Sequence, residues 1–225
     1  MSKTIYDKMW FESFEKIKRN ELEPDPLIDE PNDTRRGITL QAKPDERILD
    51  NFQSFLTEAQ NIEPGQYYYL PDEIHLTVLS IITCRRGFNL SEISLPDYTG
   101  YIEESINNIK PFAIEFKGIT ASPSCILIQG FPENNFLELI RDNLRTKFAD
   151  GALNNSIDSR YRIQTAHCTV IRFKSKLKEK QKFINLLESY KDYYFGKTSI
   201  TEFELVQTDW YHKKEKVIVL HRFEL

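Results

Sequence analysis

Two short stretches constrain this 225-residue chain more than any other feature: His75-Leu76-Thr77-Val78 and His167-Cys168-Thr169-Val170. Each lies in a run rich in apolar and β-branched residues, Ile74 to Ile82 and Arg162 to Phe173, that reads as a β-strand. Side chains alternate across a strand, so each His shares a face with its own Thr. The residue between them and the Val turn the other way. The chain has only four histidines, and two fall in the same local pattern 92 positions apart. That repeat predicts two strands presenting the same chemistry.

The remaining pattern predicts an α+β fold. Residues 3 to about 19 carry Ile5, Tyr6, Met9, Trp10, Phe14 and Ile17 at helical intervals, and residues 21 to 33, with three prolines and six acidic residues, predict an extended connector. Gly37 to Ala42 reads as a strand, and Pro44 opens a helix to about Asn61. Tyr67-Tyr68-Tyr69 leads into the first motif strand. Further helices are expected at Tyr101 to Ile109, Asn135 to Phe148 and Leu177 to Tyr190, and a strand pair at Phe112 to Phe116 and Cys125 to Ile128. Two last strands are expected at Ser199 to Thr208 and Lys216 to Phe223. The rough order strand, helix, motif strand recurs, so the expected architecture is bilobal and duplicated. Two mixed or antiparallel sheets would flank a central groove, with helices outside.

Composition narrows the function classes. Net charge is -4, which disfavours wholesale binding to long duplex DNA but leaves room for a small anion in a local basic pocket. Cys84, Cys125 and Cys168 are an odd number without CxxC spacing, predicting reduced thiols rather than a disulfide framework or a zinc site. No apolar run approaches the ~20 residues needed to cross a bilayer, and a cytoplasmic monomer without membrane partners is expected. The chain has no G-x-S-x-G, GxxxxGK[ST] or GxGxxG.

Two H-x-T-x motifs on strands, with the second continuing as His167-Cys168-Thr169-Val170-Ile171-Arg172, resemble the 2H phosphoesterase superfamily. That group includes 2'-5' RNA ligase-like proteins and 2',3'-cyclic phosphodiesterases. The resemblance covers residues 36 to 225 as one bilobal domain and leaves residues 1 to 35 as a helix and connector outside it. It implies that the two motif strands lie side by side across the groove. His75, Thr77, His167 and Thr169 would then face one phosphate.

The residue chemistry agrees with that implication. Phosphodiester cleavage needs a base for the attacking oxygen and an acid for the leaving one, and two imidazoles can fill both roles without a metal or other cofactor. The two Thr hydroxyls would donate to the non-bridging oxygens, where charge accumulates. Arg172 lies five residues after His167, so on a regular strand it faces away from the groove; only a strand end or a bulge would bring it back. Tyr69, Trp210 and Tyr211 are the aromatic candidates for stacking a base. His212 and His221 read as hydrogen-bonded structural residues. The expected activity is cleavage of a 2',3'-cyclic, 2'-5' or related nucleotide phosphodiester. The alternatives are a non-catalytic module that holds RNA ends or nucleotides in the same groove, and a hydrolase of cyclic oligonucleotide signals.

Overall fold

The computed structural model describes residues 2–225, with side chains from Thr4 onward. In chain order the elements are α1 (Ser2–Lys18), β1 (Arg36–Ala42), α2 (Glu46–Ile62), β2 (Tyr67–Tyr68), β3 (Leu76–Arg85) and α3 (Leu95–Ile106). They continue with β4 (Phe112–Ser122), β5 (Cys125–Pro132), α4 (Phe136–Asp150), β6 (Ala166–Arg172), α5 (Lys180–Tyr190), β7 (Tyr194–Ile200), β8 (Glu202–Thr208) and β9 (Ile218–Glu224). Every strand pairing is antiparallel, in the order β7-β4-β5-β6-β3-β1-β8-β9, with β2 added to β6.

The two halves of that order are joined by one residue pair, Leu76 opposite Cys168. On one side lies the β4 lobe, β7-β4-β5-β6, and on the other the β1 lobe, β3-β1-β8-β9. A seam of one pair lets the two sheets splay, so the expected pair of sheets is one curled sheet pinched at its middle. Phe52 and Phe55 of α2 pack with Phe116, Phe195 and Tyr190 on the outside of the β4 lobe. Such edge-to-face aromatic contacts add to the area they bury. Helices α3 and α4 meet through Tyr98 and Phe148 and cover the β1 lobe.

Four differences from the sequence expectation bear on the site. The strand expected at Ser199 to Thr208 begins earlier and divides at Thr201 into β7 and β8, which sit on opposite lobes. Both pieces alternate apolar with polar residues, so the pattern alone does not mark the break. Helix α3 begins at Leu95 rather than Tyr101, with Pro96 in its first turn, where the missing N–H costs nothing. The tyrosine run is not an approach to β3: Tyr67 and Tyr68 form a separate strand against β6, and a tight turn at Pro71–Glu73 precedes His75. Finally, β6 starts at Ala166, leaving residues 151 to 165 as a long loop.

Candidate active groove

The seam sets the site. Leu76 and Cys168 are both buried on the helix-covered side, so their neighbours His75, Thr77, His167 and Thr169 point to the opposite, concave side. In an antiparallel pair with Leu76 opposite Cys168, His75 lies across from Thr169 and Thr77 across from His167. The four side chains named by the motif are thus brought together on one face with an approximate two-fold relation.

The two-fold extends to a detail of register. The β1–β3 pairing steps from Leu40 opposite Leu79 to Gln41 opposite Thr77, skipping Val78. The β5–β6 pairing steps from Ile126 opposite Ile171 to Leu127 opposite Thr169, skipping Val170. Each motif therefore carries a bulge at its Val. A bulge inserts one residue and reverses which face the following side chains take. Arg172 pairs with Cys125 beyond the bulge and returns to the groove face. This corrects the expectation that it faces away. At the equivalent place after the first motif stands Ser80.

Arg172 is held by its surroundings. Its Nε donates to the Tyr69 hydroxyl at 2.8 Å, and its guanidinium stands 5.6 Å from the Tyr211 ring. Among the described residues it has no carboxylate partner within ion-pair distance, so its charge is available to an anion. Tyr69 and Tyr211 are 2% and 1% exposed. Neither has a free face for a base, which corrects that expectation; both support Arg172 instead. Trp210 does border open space. With Thr77, Ser80, Thr83, Ser159, Tyr161 and neighbours it lines a cavity of about 80 Å³, and the Arg160 guanidinium lies 4.2 Å from its ring.

The two motif histidines differ in their inner hydrogen bonds. His75 Nδ1 lies 2.8 Å from the Glu73 carbonyl oxygen, which only accepts, so Nδ1 carries the proton and Nε2 keeps a lone pair. Glu73 is fixed in turn: its buried carboxylate accepts from the Tyr67 hydroxyl and from the backbone N–H groups of Leu70 and Lys214. His167 Nδ1 lies 2.9 Å from the Thr165 hydroxyl, which can donate or accept, so either tautomer is allowed.

A third imidazole enters unannounced by the sequence. His212 stacks on His75 with ring centroids 3.6 Å apart. It sits in a left-handed turn (φ 56°) stabilised by Asp209, whose carboxylate accepts from the N–H groups of Tyr211 and Lys213. Its Nδ1 is buried without a partner, so the expected hydrogen-bonded structural role is corrected at that atom. His221 is exposed, 3.9 Å from Glu103, on the outer strand β9.

Burial pushes His75 and His167 down to about 4, with nearby cations adding to the effect: Lys43 and Arg172 for His75, Arg141 for His167. His212 is lowered in the same way by burial and by His75. The unfolded chain therefore binds more protons than the native one between about pH 4 and 6.5. Stability is expected to be full above pH 6.5 and to decline as pH falls through that window, by at most about 3 kcal/mol for each of His75 and His167. Urea denaturation midpoints from pH 7 to pH 4 check this. The slope should flatten in His75→Gln, and equal slopes for both proteins would contradict it.

Behind the seam sits Arg141 of α4, 4% exposed. Its Nε donates to the Val78 carbonyl at 2.8 Å, and its Nη2 donates to the carbonyls of Thr77 and Thr165 at 2.9 Å each. One guanidinium thus ties the bulge of the first motif to the approach of the second. The sequence carries a signal for it: Leu137, Arg141, Leu144 and Phe148 lie on one helical stripe, and an arginine among apolar residues there needs internal acceptors.

Comparison with known proteins agrees with this geometry. TT0787 of Thermus thermophilus matches with a TM-score of 0.62 at 18% identity, over 84% of this chain and 97% of that one. E. coli LigT complexed with 3'-AMP matches with a TM-score of 0.55 at 12% identity, over 85% and 98%. At such identities these likenesses speak for the fold. Among curated proteins none matches the chain. The family model described as the AKAP7 2'5' RNA ligase-like domain matches residues 38–217, a span that holds both motifs, both bulges and the seam between them. Over most of its length, then, this chain belongs to the AKAP7 2'5' RNA ligase-like family of 2H phosphoesterases.

Proposed function

We propose that the chain is a metal-independent phosphodiesterase acting on a small 2',3'-cyclic, 2'-5' or related nucleotide phosphodiester. The observation that carries this reading is the seam, which sets two His/Thr pairs against each other on one concave face. His75 takes the base role, because the Glu73 carbonyl fixes a tautomer whose Nε2 can accept a proton. His167 takes the acid role, since Thr165 tolerates donation or acceptance as its protonation changes. Thr77 and Thr169 donate to the non-bridging oxygens, and Arg172 supplies the positive charge that the negative phosphate meets.

An anionic phosphate between the two rings favours the charged form and raises both pKa values toward the working range. Trp210, with Arg160 against it, is the surface on which a base would stack beside Thr77. Crystal forms of LigT with 3'-AMP and with ATP fit a groove of nucleotide scale.

The test is turnover, with EDTA present, of 2',3'-cyclic nucleotides, 2'-5' oligoadenylates and cyclic dinucleotides. Activity that survives both His75→Ala and His167→Ala in folded protein would overturn the mechanism. Arg172→Gln separates charge from proton transfer. It is expected to raise KM about tenfold or more, in line with losing a charged hydrogen-bond donor, and to keep both limbs of the pH profile, the acid one moved slightly up because Arg172 helps to lower His75. Unchanged KM would remove Arg172 from the phosphate site.

A further inference from the structure

The segment before residue 36 lies outside the matched family span, yet it is built into the groove. Gln129 pairs with His167 across β5 and β6, so it shares that face, as do Leu127, Thr120, Phe131 and Glu115 further along the β4 lobe. Helix α1 is laid on this concave face and not on the outer, helix-covered one. The Tyr6 ring meets Phe131 edge-on at 5.5 Å, and the Thr120 hydroxyl donates to the Tyr6 carbonyl. Trp10 borders a cavity with Gln129, Phe131 and Lys117. Tyr6, Trp10, Phe14 and Ile17 are all buried there.

Tyr6 also reaches the motif. Its hydroxyl donates to the Ala166 carbonyl at 2.6 Å and accepts from the Gly130 N–H at 3.3 Å. The Ala166 carbonyl belongs to the peptide group that leads into His167.

The connector then closes one end of the groove. The Glu23 N–H donates to the Pro123 carbonyl and the Asp25 N–H to the Phe173 carbonyl, both on the β4 lobe beyond Arg172. A few residues on, Lys213 donates to the Ile28 carbonyl, and Arg35, held by Asp33, donates to the Tyr211 hydroxyl, both on the β1 lobe. The loop before β6 converges with it: the Ser156 N–H donates to the Ile81 carbonyl, and Arg160 lies 4.2 Å from the Trp210 ring that Arg35 approaches to 5.8 Å.

Resting on the phosphodiesterase reading above, we propose that residues 2–35 form a wall and an end of the active groove. They restrict its substrates to phosphodiesters carried on a mononucleotide or dinucleotide, and exclude the ends of longer RNA. Tyr6 acts in this arrangement as a positioning residue for His167, through Ala166. A polynucleotide running along the groove meets the connector and the 156–163 loop where both close on Trp210. A strand leaving sideways over the β4 lobe meets α1.

The wild-type protein decides the matter. Its kcat/KM on a nucleoside 2',3'-cyclic phosphate is compared with that on the same cyclic end of a ten-residue oligoribonucleotide. The mononucleotide is expected to be preferred by about 100-fold or more, a difference of about 2.7 kcal/mol. Comparable rates overturn the proposal and leave the phosphodiesterase reading standing. If neither is turned over, that reading fails separately, and affinities decide the steric claim. Binding of 3'-AMP at least 100-fold tighter than of a 3'-phosphorylated ten-residue RNA upholds it; equal binding, or none of either, overturns it. Trp10→Glu, in protein shown to be folded, is expected to reduce the discrimination below tenfold. Tyr6→Phe keeps the ring and removes only the hydroxyl. It is expected to lower kcat about tenfold at unchanged KM and to move the alkaline limb of the pH profile; an unchanged kcat removes the positioning role.

Discussion

His75→Ala and His167→Ala are each expected to lower kcat by about 10³-fold, within the range that positioned acid–base groups contribute. The double variant should be little worse than the worse single one. The base and the acid act in one transition state, and losing either already forfeits the concerted proton transfer. The two variants should differ in other respects. His75 is the base in this reading, because the Glu73 carbonyl holds its proton on Nδ1. His167 is the acid that protonates the leaving oxygen. A nitrophenyl nucleotide phosphodiester has a leaving group that departs without a proton, so it should restore much of the rate of His167→Ala and little of that of His75→Ala. Rescue of the opposite variant would exchange the roles.

The pH dependence follows from the same geometry. Burial lowers both imidazoles to about 4 in the free protein. The profile of kcat/KM reports the free enzyme, so its bell is expected to be centred below about pH 5.5, well to the acid side of the ordinary histidine value near 6.5. The profile of kcat reports the complex, where phosphate raises both values, and its bell should lie at higher pH. His75→Ala should lose the acid limb, and His167→Ala the alkaline one. Coincident profiles for kcat and kcat/KM would contradict the claim that burial, relieved by phosphate, sets these values.

What the sequence allowed to be read, and what it hid, divides along a physical line. The shared face of each His and Thr follows from strand alternation, a local rule, and the structure keeps it. Alternation alone puts Arg172 on the wrong face because the bulge at Val170 is a property of the pairing between β6 and β5, and no pattern within β6 announces it. The break at Thr201 is hidden for a similar reason: residues on both sides of it read as strand, and the two pieces are told apart by the strand each meets. Helix α1 was legible as amphipathic, but the surface that receives it is assembled from β4 and β5, more than a hundred residues away. Tyr69 and Tyr211 illustrate the converse. Aromatic type suggested stacking on a base, whereas burial assigns them to the support of Arg172.

Arg141→Met is expected to destabilise the protein by about 3–5 kcal/mol, the largest stability effect anticipated for a single substitution around the seam. Methionine can fill the space, yet it leaves the carbonyls of Thr77, Val78 and Thr165 without the donor they now share. Each buried acceptor left unsatisfied costs about 1–3 kcal/mol. The loss is offset in part because the native guanidinium is buried among neutral acceptors, with Arg145 nearby and burial lowering it to about 10. Arg141→Lys separates charge from geometry. A lysine keeps the positive charge but lacks the planar fork that spans acceptors on both motif strands, so it should recover less than half of the loss. Urea denaturation measures both values. Because Arg141 bonds backbone on both sides of a one-pair seam, activity should fall in Arg141→Lys even under conditions where the protein remains fully folded. A fully active, folded Arg141→Lys would mean that the pairing of Leu76 with Cys168 holds the two lobes in register unaided.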